Sequence, residues 1–244
     1  MPKPNQEQLE NIKAALNIYE KELVNKQILI LYSEISNKDL KKIPKEKLKE
    51  FKKIVGLEIT FKKENFMHLV GIVRESIKIP LITFYNNLKL NKVSLNEFEI
   101  SEYANKKNFI FSILPNSLRT VGTIGNYNYS KPYVKVDKII GNTKKSYGAV
   151  LGIREEKFKK SLNLLKSYAP VSLLEEITEN LILKNTERKI LAIFEKNINE
   201  KYYGKLSYKN KDYPIENIWN NKEFCKLLTF DLQEKILNQI KEKN

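Results

Sequence analysis

The sequence predicts an α+β protein in which helices come first, an antiparallel sheet follows, and a helical segment ends the chain. Three observations predict this class. Apolar residues recur at helical spacing over the first 26 residues, two pairs of strand-like segments lie in the second half, and helical spacing returns over the last 30 residues. Helices and strands that are segregated along the chain are typical of the α+β class.

The first half is expected to be mainly helical, with two early strands. Leu57, Ile59 and Phe61 alternate with more polar neighbours, which predicts the second of these strands. Pro115 is expected to end or kink the helix that contains it. The predicted elements are a helix at 6–26, a strand at 27–32, a lysine-rich helix at about 37–53, a strand at 55–61, a short helix starting at 64 or 65, a helix at 79–89, an edge strand or loop at 93–100, and a helix at 106–120.

The second half is expected to contain the sheet. Residues 141–146 are rich in turn formers and separate two apolar segments, so a hairpin is predicted there. A second strand pair follows, and amphipathic helical spacing begins at about residue 215. The predicted strands are 133–140, 147–153, 189–196 and 203–208.

The charge of the chain favours a polyanionic partner. Forty-four Lys and Arg residues outnumber 29 Asp and Glu residues, for a net charge of +15. Such an excess produces a positive surface potential that attracts RNA, DNA or an anionic membrane. A general compositional bias toward lysine explains the large number of lysines. It does not explain the excess of basic over acidic residues, because such a bias usually raises glutamate as well.

Targeting and redox features predict a cytoplasmic protein. The single cysteine, Cys225, cannot form an intrachain disulfide or a zinc cluster. The N-terminus opens on an amphipathic helix, so no signal peptide is expected. No apolar run approaches the ~18 residues of a membrane span.

Basic residues are concentrated between 131 and 166, a segment that contains ten basic and three acidic residues. Tyrosines are interleaved with these cations, an arrangement suited to the phosphates and unstacked bases of single-stranded RNA. The tyrosines fit half-buried sheet positions equally well. The segment therefore predicts an RNA-binding surface and leaves the role of its tyrosines open.

Several common chemistries have no signature in the sequence. There is no phosphate-binding P-loop, no glycine-rich dinucleotide motif and no paired-histidine metal motif, and Asp137, Glu155 and Glu156 do not form an evident two-metal set. A Cys225–His68 pair is conceivable, although the two lie in regions of different character. No metal and no cofactor are therefore expected. RNA can be cleaved by attack of its own 2′-hydroxyl on the adjacent phosphorus, a reaction that needs only a base, an acid and cations. His68, the sole histidine, suits the proton transfer.

Two segments resemble a known family. Residues 61–72 read FKKENFMHLVGI, which is similar to the motif F-K-x-E-N-F-x-H-L-x-G of phage-associated barnase/EndoU/colicin/RelE-like nucleases. Residues 168–174, YAPVSLL, are similar to that family's Y-x-P-x-S-L-L segment. The similarity extends in order over about residues 12–210. Val70 stands where the family often has Thr or Cys.

The resemblance implies N-terminal helices followed by a roughly four-stranded antiparallel sheet that forms an RNA cleft. It implies a ribonuclease that acts as a toxin or phage-conflict effector. Together with the chemistry open to His68, this predicts a metal-independent endoribonuclease that makes a cyclic phosphate. The expected organisation is a nuclease domain at 1–210, with a helical extension at 211–244 packed on it. The expected partners are RNA (tRNA or mRNA) and a cognate antitoxin or immunity protein, without a membrane.

The predicted catalytic residues combine the resemblance with phosphate chemistry. The resemblance implies His68 as base or acid, Ser172 to position phosphate and Lys196 to stabilise the transition state. Arg119 is added because arginine binds phosphate in a bidentate manner. The predicted RNA-binding residues are Lys63, Lys135, Lys138, Lys144, Lys145 and Tyr147.

Two alternatives remain open from the sequence. The lone histidine and Val70 also fit a non-catalytic nucleic-acid-binding or inhibitor protein on a degenerate nuclease fold. The helical segment around Trp219, Phe224 and Leu228 also fits a docking surface for an antitoxin or a second copy of the chain. Cleavage of RNA separates the first alternative from the enzyme, and sedimentation tests self-association.

Overall fold

The chain folds around one mixed sheet covered on both faces by helices. The computed structural model describes residues 1–44, 47, 53–120, 122–130, 135–142, 148–156, 165–213 and 215–242. The strands are β1 (Lys26–Ser33), β2 (Ile54–Thr60), β3 (Thr123–Asn126), β4 (Lys138–Gly141), β5 (Gly148–Glu155), β6 (Lys166–Glu176), β7 (Arg188–Asn197) and β8 (Lys205–Lys209). The helices are α1 (Gln6–Glu22), α2 (Asn37–Leu40), α3 (Asn65–Val70), α4 (Leu81–Lys89), α5 (Ala104–Phe111), α6 (Leu114–Thr120), α7 (Thr178–Leu181), α8 (Ile215–Trp219), α9 (Lys222–Cys225) and α10 (Phe230–Lys241).

The sheet closes on itself. Its strand order is β1-β2-β6-β5-β4-β3-β7-β8, and β1 also pairs with β7. Seven strands therefore form a closed ring, and β8 pairs with β7 outside it. The β2–β6 pair is parallel and the others are antiparallel. The predicted roughly four-stranded antiparallel sheet is wrong.

The prediction failed at β3, at β6 and in the position of the first two strands. β6 carries Pro170, a residue that disfavours a strand in sequence-based reasoning, and the parallel pairing of its first residues with β2 has no local signal. β3 has only four residues. β1 and β2 were predicted as strands but not as members of the same sheet. β1 lies between β2 and β7, and residues 28–31 are all buried, as expected of a central strand.

Helix predictions are largely confirmed, with local corrections. The helix predicted at 106–120 is two helices, α5 and α6, and Pro115 occupies the first turn of α6, where its missing N–H costs no helical hydrogen bond. Residues 93–100 lack a strand except for one bridge, Ile100 to Ile72. Of the helix predicted at 37–53, α2 covers four residues, and 45–46 and 48–52 lie outside the described residues.

The predicted strand pairs are confirmed as neighbours. β4 pairs with β5 and β7 pairs with β8, both antiparallel. β4 begins at Lys138 rather than at residue 133, and residues 131–134 lie outside the described part of the chain.

Helices cover the sheet in two groups. The largest core joins α1, α3, α4, α5 and α6 to one face of the sheet. A second core packs residues of α9 and α10 against the other face of β1 and β7, so the described part of the 211–244 segment lies on the sheet. Among the described residues, no helix is long and apolar enough to cross a membrane.

Candidate active site

The segment that carries His68 is held by buried aromatic and aliphatic side chains. Phe61, Phe66 and Leu69 are fully buried in the largest core. The side-chain oxygen of Asn65 accepts the backbone N–H of Lys62 at 2.8 Å and fixes the turn from β2 into α3. These residues account structurally for much of the 61–72 motif.

Gly71 brings the end of α3 close to the start of α5. Its φ of +82° is a left-handed conformation that glycine adopts without strain. A Cβ at this position would lie 2.9 Å from the Cα of Ala104 and from Oγ of Ser101. The backbone N–H of Ser101 also donates to the carbonyl of Gly71 at 2.8 Å. Residues one turn into α5 therefore lie beside the last turn of α3.

Lys107 joins His68 to Ser172. Its Nζ donates to the backbone carbonyl of His68 at 3.0 Å and lies 3.5 Å from Oγ of Ser172. The carbonyl belongs to the last turn of α3, where helix carbonyls lack helical partners, so the ammonium group caps that helix. Ser172 is buried on β6 opposite Gly152 of β5. Lys107, a lysine that was not predicted, thus contacts two of the four predicted catalytic residues, His68 through its backbone carbonyl and Ser172 through its hydroxyl.

The electrostatics of this cluster shift two pKa values. Burial lowers the pKa of Lys107 to about 8. Burial also lowers the pKa of His68 below its ordinary value, and the charges of Arg74, Lys107 and Arg154 act in the same direction against the opposing effect of Glu75. At neutral pH His68 is therefore mainly neutral and Lys107 mainly charged, as a base and an acid should be.

Two arginines form a cationic rim near His68. Arg74 is exposed and is the first residue of a short 3-10 helix, Arg74–Ser76, which follows α3. Arg154, also exposed, lies at the end of β5, and its guanidinium donates to the carbonyl of Lys135 through Nε at 3.0 Å and through Nη2. Within the described ranges, neither guanidinium is paired with a carboxylate, so both can meet a phosphate.

Arg119 and Lys196 lie elsewhere. Arg119 is held between Glu22 at 2.9 Å and Glu195 at 3.2 Å. Nζ of Lys196 lies 4.8 Å from the ring centroid of Tyr203, a member of the second core, and donates to the carbonyl of Lys201 at 3.2 Å. The structure therefore does not bring these two predicted residues into contact with His68.

The predicted RNA-binding residues are dispersed. Lys63 donates to the side chain of Asn86 at 3.1 Å, and Lys138 donates to that of Asn126 at 2.8 Å. Lys135 is exposed next to Arg154. Burial lowers the pKa of Lys138. The others, Lys144, Lys145 and Tyr147, lie outside the described residues.

Lys107 had a detectable signal in the sequence. Ala104, Lys107 and Phe111 are spaced i, i+3, i+7, and the first and last are buried. Helical periodicity therefore places a lysine on the inward side of α5, where an unpaired charge is costly. A lysine at such a position indicates a capping or functional role.

Val70 does not weaken the site. Its side chain is fully buried in the largest core, so a hydroxyl at this position would not face a bound phosphate. The observation removes one of the two reasons for the non-catalytic alternative.

Comparison with known proteins gives one match. The model of the family described as phage-Barnase-EndoU-ColicinE5/D-RelE like nuclease 4 matches residues 11–212. That range contains α3, α5, β5 and β6 and hence every residue of the His68 cluster. No curated protein and no solved structure matches the chain.

Proposed function

We propose, from the premise that the chain belongs to the phage-Barnase-EndoU-ColicinE5/D-RelE like nuclease 4 family, that it is an endoribonuclease whose active site is the cluster of His68, Lys107 and Ser172. The observation that carries the proposal is the position of Lys107, whose ammonium lies within 3.0 Å of the His68 carbonyl and 3.5 Å of the Ser172 hydroxyl, with a pKa lowered to about 8.

The proposed reaction needs no group from outside the chain and its substrate. Neutral His68 removes the proton of a ribose 2′-hydroxyl, and the oxygen attacks the adjacent phosphorus. The bond from phosphorus to the 5′-oxygen breaks as Lys107 gives that oxygen a proton. The products are a 2′,3′-cyclic phosphate and a 5′-hydroxyl, and water exchanges the protons that restore His68 and Lys107.

The remaining groups stabilise the phosphate. An ammonium has three N–H donors, and two of those on Lys107 face the His68 carbonyl and Ser172, which leaves one for the substrate. Arg74 and Arg154 supply positive charge where the transition state gains negative charge. The Ser172 hydroxyl orients a phosphate oxygen. Arg119 and Lys196 contribute to the fold instead, through the contacts described above.

Incubation with total RNA in excess chelator tests the proposal. Intact protein should fragment the RNA, and His68→Ala should lose at least about 100-fold in rate, the lower end of general acid–base contributions. Lys106→Ala, which changes the exposed lysine next to Lys107, is the matched control and should cut normally. Intact RNA after incubation with the unaltered protein, or equal cutting by His68→Ala, contradicts the proposal. Tight binding without cutting would instead support the non-catalytic alternative.

The same proposal includes a role as a toxin or phage-conflict effector in the cytoplasm, restrained by a cognate antitoxin. Its support is the nuclease family and the strongly basic chain. Expression in a bacterial host should arrest growth, and His68→Ala should relieve the arrest. Normal growth with abundant intact protein would contradict this role.

A further inference from the structure

A groove lies on the side of α5 that faces α1. It encloses about 380 Å³, within the range of about 300–1,000 Å³ typical of small-molecule sites. Its wall is rich in amide and hydroxyl side chains. They are Asn5, Gln8, Asn11, Asn105, Asn108 and Ser112.

Asn108 lacks a partner in this wall. Its side-chain oxygen and nitrogen are both buried, and neither has a hydrogen-bond partner among the described residues. A buried carboxamide is rarely left unpaired, because it loses its bonds to water without replacement. Gln8 and Asn105, by contrast, are joined by a hydrogen bond of 3.1 Å. The unpaired amide therefore indicates a ligand that offers both a donor and an acceptor.

Phe109 supplies a stacking surface at the edge of the groove. It lines the groove and is 77 % exposed, so the ring is accessible to a ligand in the groove. An exposed aromatic ring beside a carboxamide is the combination that binds a single-stranded base, by stacking on its face and pairing with its edge. The lining includes the carboxylate of Glu7 and, among the described residues, no lysine or arginine, so it suits the base of an RNA rather than its phosphate.

We infer that this groove binds a nucleobase of the RNA substrate, with the Asn108 carboxamide pairing with the base edge and Phe109 stacking on its face. The inference rests on the proposed ribonuclease function and adds base selection to it. Lys107 and Asn108 are consecutive on α5, and Lys107 points toward β6 while Asn108 lines the wall that faces α1. A helix is about 10–12 Å across with its side chains, a distance that neighbouring nucleotides of an extended strand can bridge.

Binding of labelled oligo(A), oligo(C) and oligo(U) to the full chain tests the inference. The measurements use His68→Ala as the parent, so that the RNA stays uncut and base selection is separated from catalysis. The parent should prefer one base by about tenfold, and Asn108→Leu should reduce that preference to about twofold. Phe109→Ala should weaken binding of every oligonucleotide by at least about fivefold. Phe230→Ala, which removes a ring that is 73 % exposed on α10, is the matched control and should change nothing.

Leucine is close in size to asparagine, and removal of an unpaired buried amide should not lower stability. Thermal melting checks this, and Asn108→Ala is the second variant if the leucine is not accommodated. Unchanged affinity and unchanged base preference in both the Asn108 and Phe109 variants would overturn the inference. If Asn108→Leu loses the base preference but the unaltered chain does not cut RNA, the groove binds a base and the catalytic proposal is rejected.

Discussion

Replacement of Lys107 by methionine should abolish RNA cleavage and at the same time raise the stability of the fold. Methionine keeps the length of the side chain and removes its charge. The ammonium is held in a site where burial lowers its pKa to about 8, so the folded state bears the cost of a partly desolvated charge at neutral pH. A residue retained only to cap α3 would show the opposite effect on stability.

The magnitude follows from the pKa. The unfolded chain has an ordinary lysine pKa of ~10.4, and the gap to about 8 corresponds to roughly 3 kcal/mol at most of destabilisation at pH 7, at about 1.4 kcal/mol per pKa unit. Because Lys107 keeps some contact with water, about half of this is expected. Loss of the hydrogen bond to the His68 carbonyl costs about 1 kcal/mol. Lys107→Met should therefore be more stable at pH 7 by about 0.5 kcal/mol.

The pH dependence gives a sharper test. Between pH 8 and about 10.4 the unfolded chain binds more protons at Lys107 than the folded chain does, so the stability of the unaltered protein rises with pH in this window. The variant lacks this contribution. Urea unfolding at pH 7 and pH 10 should show the stability difference moving by about 1–2 kcal/mol in favour of the unaltered protein at pH 10. A variant that cuts RNA normally, or that loses stability at pH 7 by the same amount as at pH 10, would contradict this role of Lys107.

Three further outcomes are expected. The pH profile of kcat/KM should be bell-shaped, with an acidic limb below the ordinary histidine range, because the pKa of His68 is lowered and the imidazole must be neutral, and a basic limb near 8, where Lys107 must be charged. A profile that is flat from pH 5 to 9 would contradict the pair. Gly71→Ala should lower the free energy of unfolding by about 1–3 kcal/mol, because φ is positive at this position and the added Cβ would lie 2.9 Å from the Cα of Ala104. It should also slow cleavage by displacing α5. Chemical unfolding and initial rates measure the two effects, and an unaffected variant would show that this close approach is not required. Arg119→Met should destabilise the fold by about 1–3 kcal/mol, because Glu195 would then keep Lys205 alone as an ion-pair partner among the described residues. The variant should still cut RNA normally at a temperature where it is folded, and loss of cleavage would return Arg119 to the active site.

The sequence predicted local elements better than their assembly. Alternation located β2, helical spacing located α1 and turn-forming residues located the β4–β5 hairpin, because these signals depend on neighbouring residues. Closure of the sheet depends on the pairing of β1 with β7 and of β2 with β6, between segments more than 100 residues apart. No periodicity within a strand specifies such a partner, so the roughly four-stranded sheet was the wrong result.

The candidate site was likewise predicted only in part, because single residues were recognised and their spatial neighbours were not. His68 was identifiable as the only histidine and Ser172 through a resemblance, and the structure places the backbone carbonyl of His68 and the hydroxyl of Ser172 against Lys107. Arg119 was chosen for its chemistry alone, and chemistry does not reveal that carboxylates on α1 and β7 already hold it. Lys196 was taken from the resemblance, which does not reveal that its ammonium lies over the ring of Tyr203. Lys107 was missed because the chain contains many lysines, and only its position on α5 distinguishes the one that points toward the core.

The mass of the fragments from one defined RNA, cut in excess chelator, distinguishes cleavage through the ribose from other routes. The upstream fragment should carry a 2′,3′-cyclic phosphate and the downstream fragment a 5′-hydroxyl, with no cutting when the attacking 2′-hydroxyl is replaced by hydrogen. His68→Ala should give no fragments. A 5′-phosphate product, or cutting at the 2′-deoxy position, would contradict a reaction run by His68 and Lys107 through the ribose.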